Sequence, residues 1–130
     1  MYFSDLGNQS STKNQLIDLF KQSRVPHAIL LSGASGCGHL QLALSFSALL
    51  LCETPNENDA CKSCSSCVKY EKLQHPDLHL SFPIHLSKAE HSEISDDRRE
   101  LFVSSLDKFK CIGKKTWYST MGNENKQGVI

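Results

Sequence analysis

Four cysteines, Cys52, Cys61, Cys64 and Cys67, stand in the pattern C-x8-C-x2-C-x2-C. Short C-x2-C turns bring neighbouring thiolates together without strain, and four thiolates make a closed tetrahedral set for zinc. The intervening residues suit that geometry. Pro55, Asn56, Asn58 and Asp59 make a polar loop between the first ligand and the others, and Lys62, Ser63, Ser65 and Ser66 fill the tight turns. Because four cysteine ligands leave no open coordination position, the zinc expected here is structural rather than catalytic. Free thiols or a redox pair are the alternative reading of the same residues. Loss of one ligand is expected to loosen residues 52–70 before the rest of the chain. Cys37 and Cys111 fall outside the pattern and read as small core or loop residues.

A second constellation precedes the first. Residues 33–40 read Gly33-Ala34-Ser35-Gly36-Cys37-Gly38-His39-Leu40 and keep the G-x-x-x-x-G frame of a phosphate-binding loop. In a working loop the next two residues are Lys, which reaches the β- and γ-phosphates, and Ser or Thr, whose hydroxyl holds Mg²⁺. Here they are His39 and Leu40. An imidazole on a shorter stem supplies neither the reach nor the fixed charge, and Leu40 has no oxygen for a metal. The residues therefore predict a degenerate site that neither uses ATP nor holds Mg²⁺. Successive loop N–H groups and a helix N-terminus would still cradle an anion weakly.

The flanking sequence gives the loop its context. Ala28 to Ser32 is a short apolar run suited to a strand buried on both faces. Leu40 to Leu51 is apolar nearly all round, as a helix packed into a core should be. Upstream, Thr12-x-x-Gln15 reads as a capping box opening a helix that turns Leu16, Ile17, Leu19 and Phe20 inward, leaves Asp18 and Lys21 in solvent, and ends near Ser23. Beyond the cysteines, Cys67 to Leu73 continues helically with Val68, Tyr70 and Leu73 packing, and His75-Pro76 stops it. Leu78 to Phe82 alternates as a strand does and is expected to pair in parallel with Ala28 to Ser32.

The chain has 130 residues, enough for one domain, with 14 basic and 14 acidic side chains that cancel. A neutral balance argues against a free-standing nucleic-acid binder, which carries a basic excess. No apolar run approaches the roughly 20 residues of a membrane span, and no basic start followed by an apolar run marks a signal peptide. A cytoplasmic location is expected, where thiols stay reduced and clustered cysteines mean metal rather than disulfides. Four histidines, His75, His79, His85 and His91, share no spacing or helical face and read as ordinary solvated or hydrogen-bonded residues. Lys108, Lys110, Lys114, Lys115, Trp117 and Tyr118 read as a solvated helix end rather than a single-strand surface. No spacing suggests a nucleophilic triad.

The order of the features carries a resemblance. Leu6-Gly7-Asn8-Gln9, a helix, Arg24-Val25-Pro26-His27-Ala28, the loop Gly33 to His39, the four cysteines and His75-Pro76-Asp77 together resemble the start of bacterial DNA polymerase III clamp-loader subunits. That AAA+ family includes gamma/tau and delta-prime types, both with a zinc module inserted after the phosphate-loop helix. All four cysteines match the ligand positions. The loop resembles the delta-prime type, whose nucleotide site is commonly degenerate, and departs from gamma/tau, which keeps the Lys and Thr. Trp117-Tyr118 and Glu124 to Gly128 are also similar to delta-prime sequences, whereas the likeness is thin between about Phe82 and Lys110.

What the resemblance implies is an α/β fold of the P-loop NTPase (AAA+) kind, a parallel sheet with flanking helices. Residues 1–130 would be its incomplete N-terminal part, stopping inside the first domain, with 52–70 as an inserted Cys₄ zinc module. The charged stretch 83–100 is expected to be a mobile insertion, recovering as a helix over 100–110, and a third strand would begin near Val129. The implied role is a non-catalytic, stator-like subunit that helps load the sliding clamp on primed DNA during replication. It would not be an enzyme itself, although the complex is associated with DNA-directed DNA polymerase activity. The implied partners are the gamma/tau and delta subunits, the sliding clamp and, through the assembly, primer-template DNA. Two other readings stay open. An active ATP-hydrolysing subunit of gamma/tau type would need a Lys to replace His39, and a zinc-containing nucleic-acid-binding module would need steeply salt-dependent affinity.

Overall fold

A computed structural model of the chain describes residues 1–7, 10–34 and 36–82. The chain divides into two units, Met1–Leu78 and His79–Ile130, and only residues 79–82 of the second are described. The expected insertion at 83–100, the helix at 100–110, the third strand at Val129, the basic and aromatic patch around Trp117, and Cys111, His85 and His91 all lie outside the described residues. So do Asn8, Gln9 and Ser35.

The first unit is built from three helices and an N-terminal 3₁₀ turn. Helix α1 spans Ser10–Lys21, α2 spans His39–Leu50, α3 spans Ser65–Glu71, and the 3₁₀ turn covers Phe3–Asp5. Helix α1 starts at Ser10, two residues before Thr12 itself, so Thr12 lies inside its first turn rather than capping it. Serines at the start are tolerated because the first N–H groups have no intrahelical partner. Leu16 and Ile17 are buried and Leu19 and Phe20 half-buried, on the face expected for them.

Helix α1 closes through a left-handed residue. Ser23 sits at φ 53, its N–H donates to the Phe20 carbonyl at 3.0 Å, and the Arg24 N–H donates to the Leu19 carbonyl at 3.0 Å. Helix α3 ends the same way: Leu73 sits at φ 53, with its N–H on the Tyr70 carbonyl at 2.7 Å and the Gln74 N–H on the Lys69 carbonyl at 2.9 Å. These are Schellman closures made without the glycine that usually takes the position. Leu73 offsets its backbone strain by burying its side chain.

Helix α2 is the centre of the unit and contacts both α1 and the 3₁₀ turn. Phe3, Leu16, Ile17, Leu42, Phe46 and Leu49 form the core, with Leu6, Leu19, Phe20 and Leu31 packed against it. Phe3 is 0% exposed, so a residue seven positions before α1 already belongs to the core. On the other side, the Tyr70 hydroxyl of α3 donates to the Leu44 carbonyl of α2 at 2.5 Å.

The strands are where expectation and structure part. No strand occurs among the described residues, at 28–32 or at 78–82. Leu30 is 90% exposed and Ile29 39%, and only Leu31 of that run packs on the core. A ladder needs a neighbour, and with none among the described residues the run has no sheet to be buried in. The expected parallel sheet is therefore not seen among the described residues, and Ile29 and Leu30 are exposed. Val68, expected to pack, is 48% exposed, whereas Tyr70 and Leu73 are buried as expected. No helix among the described residues is long and apolar enough to cross a membrane.

Candidate metal centre and phosphate loop

The two candidate sites lie at opposite ends of α2. At its C-terminal end, Cys52 follows directly on the last turn, its N–H donating to the Leu49 carbonyl at 3.3 Å. The chain then loops out through 53–60 and returns, bringing the Sγ atoms of Cys52, Cys61, Cys64 and Cys67 within 4.8 Å of one another. Cys52 and Cys64 sulfurs are 4.0 Å apart, and those of Cys61 and Cys67 are 3.9 Å apart. A tetrahedron with metal–sulfur bonds of about 2.3 Å has edges of about 3.8 Å. The sulfurs thus stand close to the positions that a tetrahedral thiolate centre requires. Among the described residues this is the one group of side chains so arranged.

The backbone is wrapped around the sulfurs. The Cys61 N–H donates to Cys52 Sγ at 3.3 Å, the Cys64 N–H to Cys61 Sγ at 3.3 Å, and the Cys67 N–H to Cys64 Sγ at 3.4 Å. The last of these makes Cys64 the N-cap of α3, a ligand sulfur doing what a Ser or Asp side chain usually does. The hydrogen bonds have electrostatic consequences. Cys61 is pulled down to about 5, first by a side-chain bond from Thr54 and then by the Ser63 and Cys64 N–H groups. Cys64 is also lowered, mainly by the Cys67 N–H. Burial pushes the Cys52 and Cys67 thiols up. Cys61 and Cys64 thus favour the thiolate while Cys52 and Cys67 resist it, and a bound cation is what would let all four ionise. The chemistry of the donor set suits zinc.

Residues that the motif did not single out for a role hold this centre in place. Glu53 accepts a 2.7 Å hydrogen bond from Ser65 Oγ, tying the loop to α3 and holding the carboxyl below its ordinary range. Lys21, expected in solvent, is exposed but donates to Asn58 Oδ1 at 2.9 Å. Asp59 accepts from the Phe3 N–H at 3.2 Å and the Ser4 N–H at 2.9 Å. Lys62, at φ 65 between two ligands, donates to Ser4 Oγ at 2.6 Å and lies 4.9 Å from the centre of the Tyr2 ring. Such partners lie about 55 residues away in sequence, so no local pattern could have revealed them.

Of the histidines, His75 is buried and hydrogen-bonded. Its Nδ1 accepts the Asp77 N–H at 3.2 Å, so Nε2, 3.0 Å from Ser66 Oγ, carries the proton. His79 is exposed. Neither joins a metal-ligating group.

At the N-terminal end of α2 the glycine loop keeps its backbone devices. Gly36 and Gly38 sit at φ 85 and φ 81, and the Cys37 N–H closes a turn onto the Ala34 carbonyl at 3.1 Å. Gly38 is the N-cap of α2, with no side chain to cap the helix. A Cβ at Gly33 would lie 2.6 Å from Cys37 Sγ. The side chains are another matter. His39 is exposed, with Nδ1 3.2 Å from Cys37 Sγ, and Leu40 is half-buried in the first turn of α2. The loop edges an open groove of about 990 Å³ between α1 and residues 29–33, lined by Thr12, Gln15, Leu19, Leu30 and Leu42 among others.

One helix thus carries a closed four-cysteine group just beyond one end and a glycine loop at the other. The family model for DNA polymerase III, delta subunit, matches residues 8–126, and the chain belongs to that family. Within it, the resemblance is to the delta-prime type. The chain is 36% identical over 72 residues to DNA polymerase III subunit delta' of Bacillus subtilis (strain 168), covering 55% of this chain and 22% of that protein. It is 25% identical over 112 residues to DNA polymerase III subunit delta' of Buchnera aphidicola subsp. Schizaphis graminum (strain Sg), covering 86% of this chain and 30% of that protein. The matches therefore span less than a third of either relative. No solved structure matches the chain.

Proposed function

We propose that the chain is part of a non-catalytic, stator-like clamp-loader subunit of the delta-prime type, acting in DNA replication beside ATP-binding gamma/tau subunits and delta to load the sliding clamp on primed DNA. Family membership supports the assembly, and one observation carries the non-catalytic role: the loop retains Gly36 and Gly38 at positive φ while positions 39 and 40 hold His and Leu. A frame without Lys and hydroxyl positions a helix but cannot grip the β- and γ-phosphates or a magnesium ion. In this reading residues 1–130 contribute the phosphate-loop part of an AAA+ α/β domain, and 52–70 form a structural zinc module on Cys52, Cys61, Cys64 and Cys67. The proposed site residues of the degenerate loop are Gly33, Ser35, Gly36, Cys37, Gly38, His39 and Leu40.

The test is the double reversion His39→Lys with Leu40→Thr, titrated with a fluorescent ATP analogue in the presence of Mg²⁺ beside the parent. The parent is expected to show no magnesium-dependent binding at micromolar nucleotide. The reverted chain is expected to gain at least about tenfold in affinity, because the frame is kept and only the side chains are restored. Tight magnesium-dependent binding by the parent would overturn the reading in favour of an active subunit.

A further inference from the structure

The loop between the ligands Cys52 and Cys61 has almost no core of its own. Residues 53–58 are exposed, and Ala60 alone in the loop is buried. Something else must set the position of Cys61, and the structure shows what. Asp59, two residues before that ligand, spreads its carboxylate over three N–H groups: Oδ1 accepts from Phe3 at 3.2 Å and Ala60 at 2.9 Å, and Oδ2 accepts from Ser4 at 2.9 Å. Phe3 and Ser4 open the 3₁₀ turn, so their N–H groups have no partner within it. Lys62, immediately after the ligand, grips the same segment from the other side through Ser4 Oγ and the Tyr2 ring. Ligand Cys61 therefore sits between two side chains that both hold residues 2–4. Those residues are in turn anchored by Phe3, fully buried against α1 and α2.

From this juxtaposition we infer that metal binding and docking of the N-terminal segment are one linked equilibrium, with Asp59 and Lys62 as the positioning residues. The inference rests on the four cysteines holding a metal. Without a cation nothing holds the Cys61 sulfur beside the other three, so the turn that carries it is released, and Asp59 and Lys62 go with it. Freed from Asp59, the Phe3 and Ser4 N–H groups turn to water and Phe3 loses the tether that seats it. Linkage makes the effect reciprocal: whatever releases residues 2–4 must weaken metal binding by the same factor. The metal centre is thus not a self-contained module. Its loss reaches the core of the first unit through the chain's first five residues, contrary to the modular loosening expected from sequence.

The experiment uses the full chain with zinc alone as the ligand. Amide hydrogen exchange is followed over residues 1–7 before and after chelation, and zinc affinity is measured by competition with a chromophoric chelator for the parent, Ser4→Pro and Lys62→Met. Ser4→Pro removes one donor to Asp59 and, with the hydroxyl, the acceptor of Lys62, at a residue that is no metal ligand. The expected result is loss of protection over 1–7 on chelation, zinc affinity at least about fivefold weaker in Ser4→Pro, and a smaller drop in Lys62→Met. Lys62→Met keeps the test alive should Ser4→Pro fail to fold. Unchanged protection over 1–7 on chelation, or affinities within twofold of the parent in both variants, would overturn the linkage while leaving the metal site standing. A parent chain that takes up no zinc would overturn the metal reading and the linkage with it.

Discussion

The two ends of α2 carry sulfur in different settings. At the C-terminal end, four cysteines converge, accept backbone hydrogen bonds and are braced by contacts that tie their loop to two distant segments, residues 2–4 and Lys21. At the N-terminal end, Cys37 is exposed in a glycine loop whose backbone is specialised but whose phosphate-gripping side chains are missing. The first site is complete in its donor chemistry, and the second is complete only in its backbone. On the function proposed above, the difference is that of a loop kept for its shape: Gly38 at φ 81 starts α2 without a side-chain cap. A metal centre has no such half-state, because removing one donor from a closed set removes the site.

That contrast is sharpest under substitution. Cys64→Ser removes both a ligand and the N-cap of α3, and metal loss belongs to the short list of changes with the largest effects. A fall from one zinc per chain to none is expected, with destabilisation of about 4 kcal/mol or more by denaturant titration; zinc retained at full stoichiometry would break the comparison. A smaller effect is expected beside the centre, at Tyr2, whose buried hydroxyl has no hydrogen-bond partner. Burial first, and then the negative groups Cys67, Glu71, Asp59 and Asp5, push it up to about 12. Between pH 10 and that value the folded chain keeps a proton the unfolded chain loses, so stability falls as pH rises through this window. Tyr2→Phe should remove the Tyr2 share of that alkaline loss, leaving the share of Tyr70, which burial also pushes up, and leave stability at neutral pH equal to the parent's or up to about 1 kcal/mol greater. A strongly destabilised variant would show that the hydroxyl does have a partner. Least of all should Cys37→Ser matter, with a thermal midpoint corresponding to within about 0.5 kcal/mol of the parent and unchanged zinc content. Loss of zinc in that variant would mean that the two ends of the helix are not independent.

Legibility in the sequence followed the range of the interaction. The helix at 39–50 was readable because its apolar residues and the glycine before it are neighbours in the chain. The ligand set was readable for the same reason, three of its four members lying within seven residues. The run at 28–32 misled because apolar character says that a segment can be buried, whereas a strand exists only with a partner, and none lies among the described residues. Helix closures at Ser23 and Leu73 carried no glycine to announce them. Asp59 is the plainest case. It looked like a polar loop residue, and its role appears only when the chain's first residues come back to meet it.

That return has a consequence in time. The Phe3 N–H finds its acceptor 56 residues further along the chain. At synthesis rates of roughly 5–20 residues per second, this separation corresponds to about 3–11 s between the two residues being made. For that interval the apolar Phe3 side chain gains first α1 and then α2 to pack against, but not the tether that seats it. The residues of this unit that are made first are therefore among the last of it to settle, and the step that seats them waits for the loop between Cys52 and Cys61.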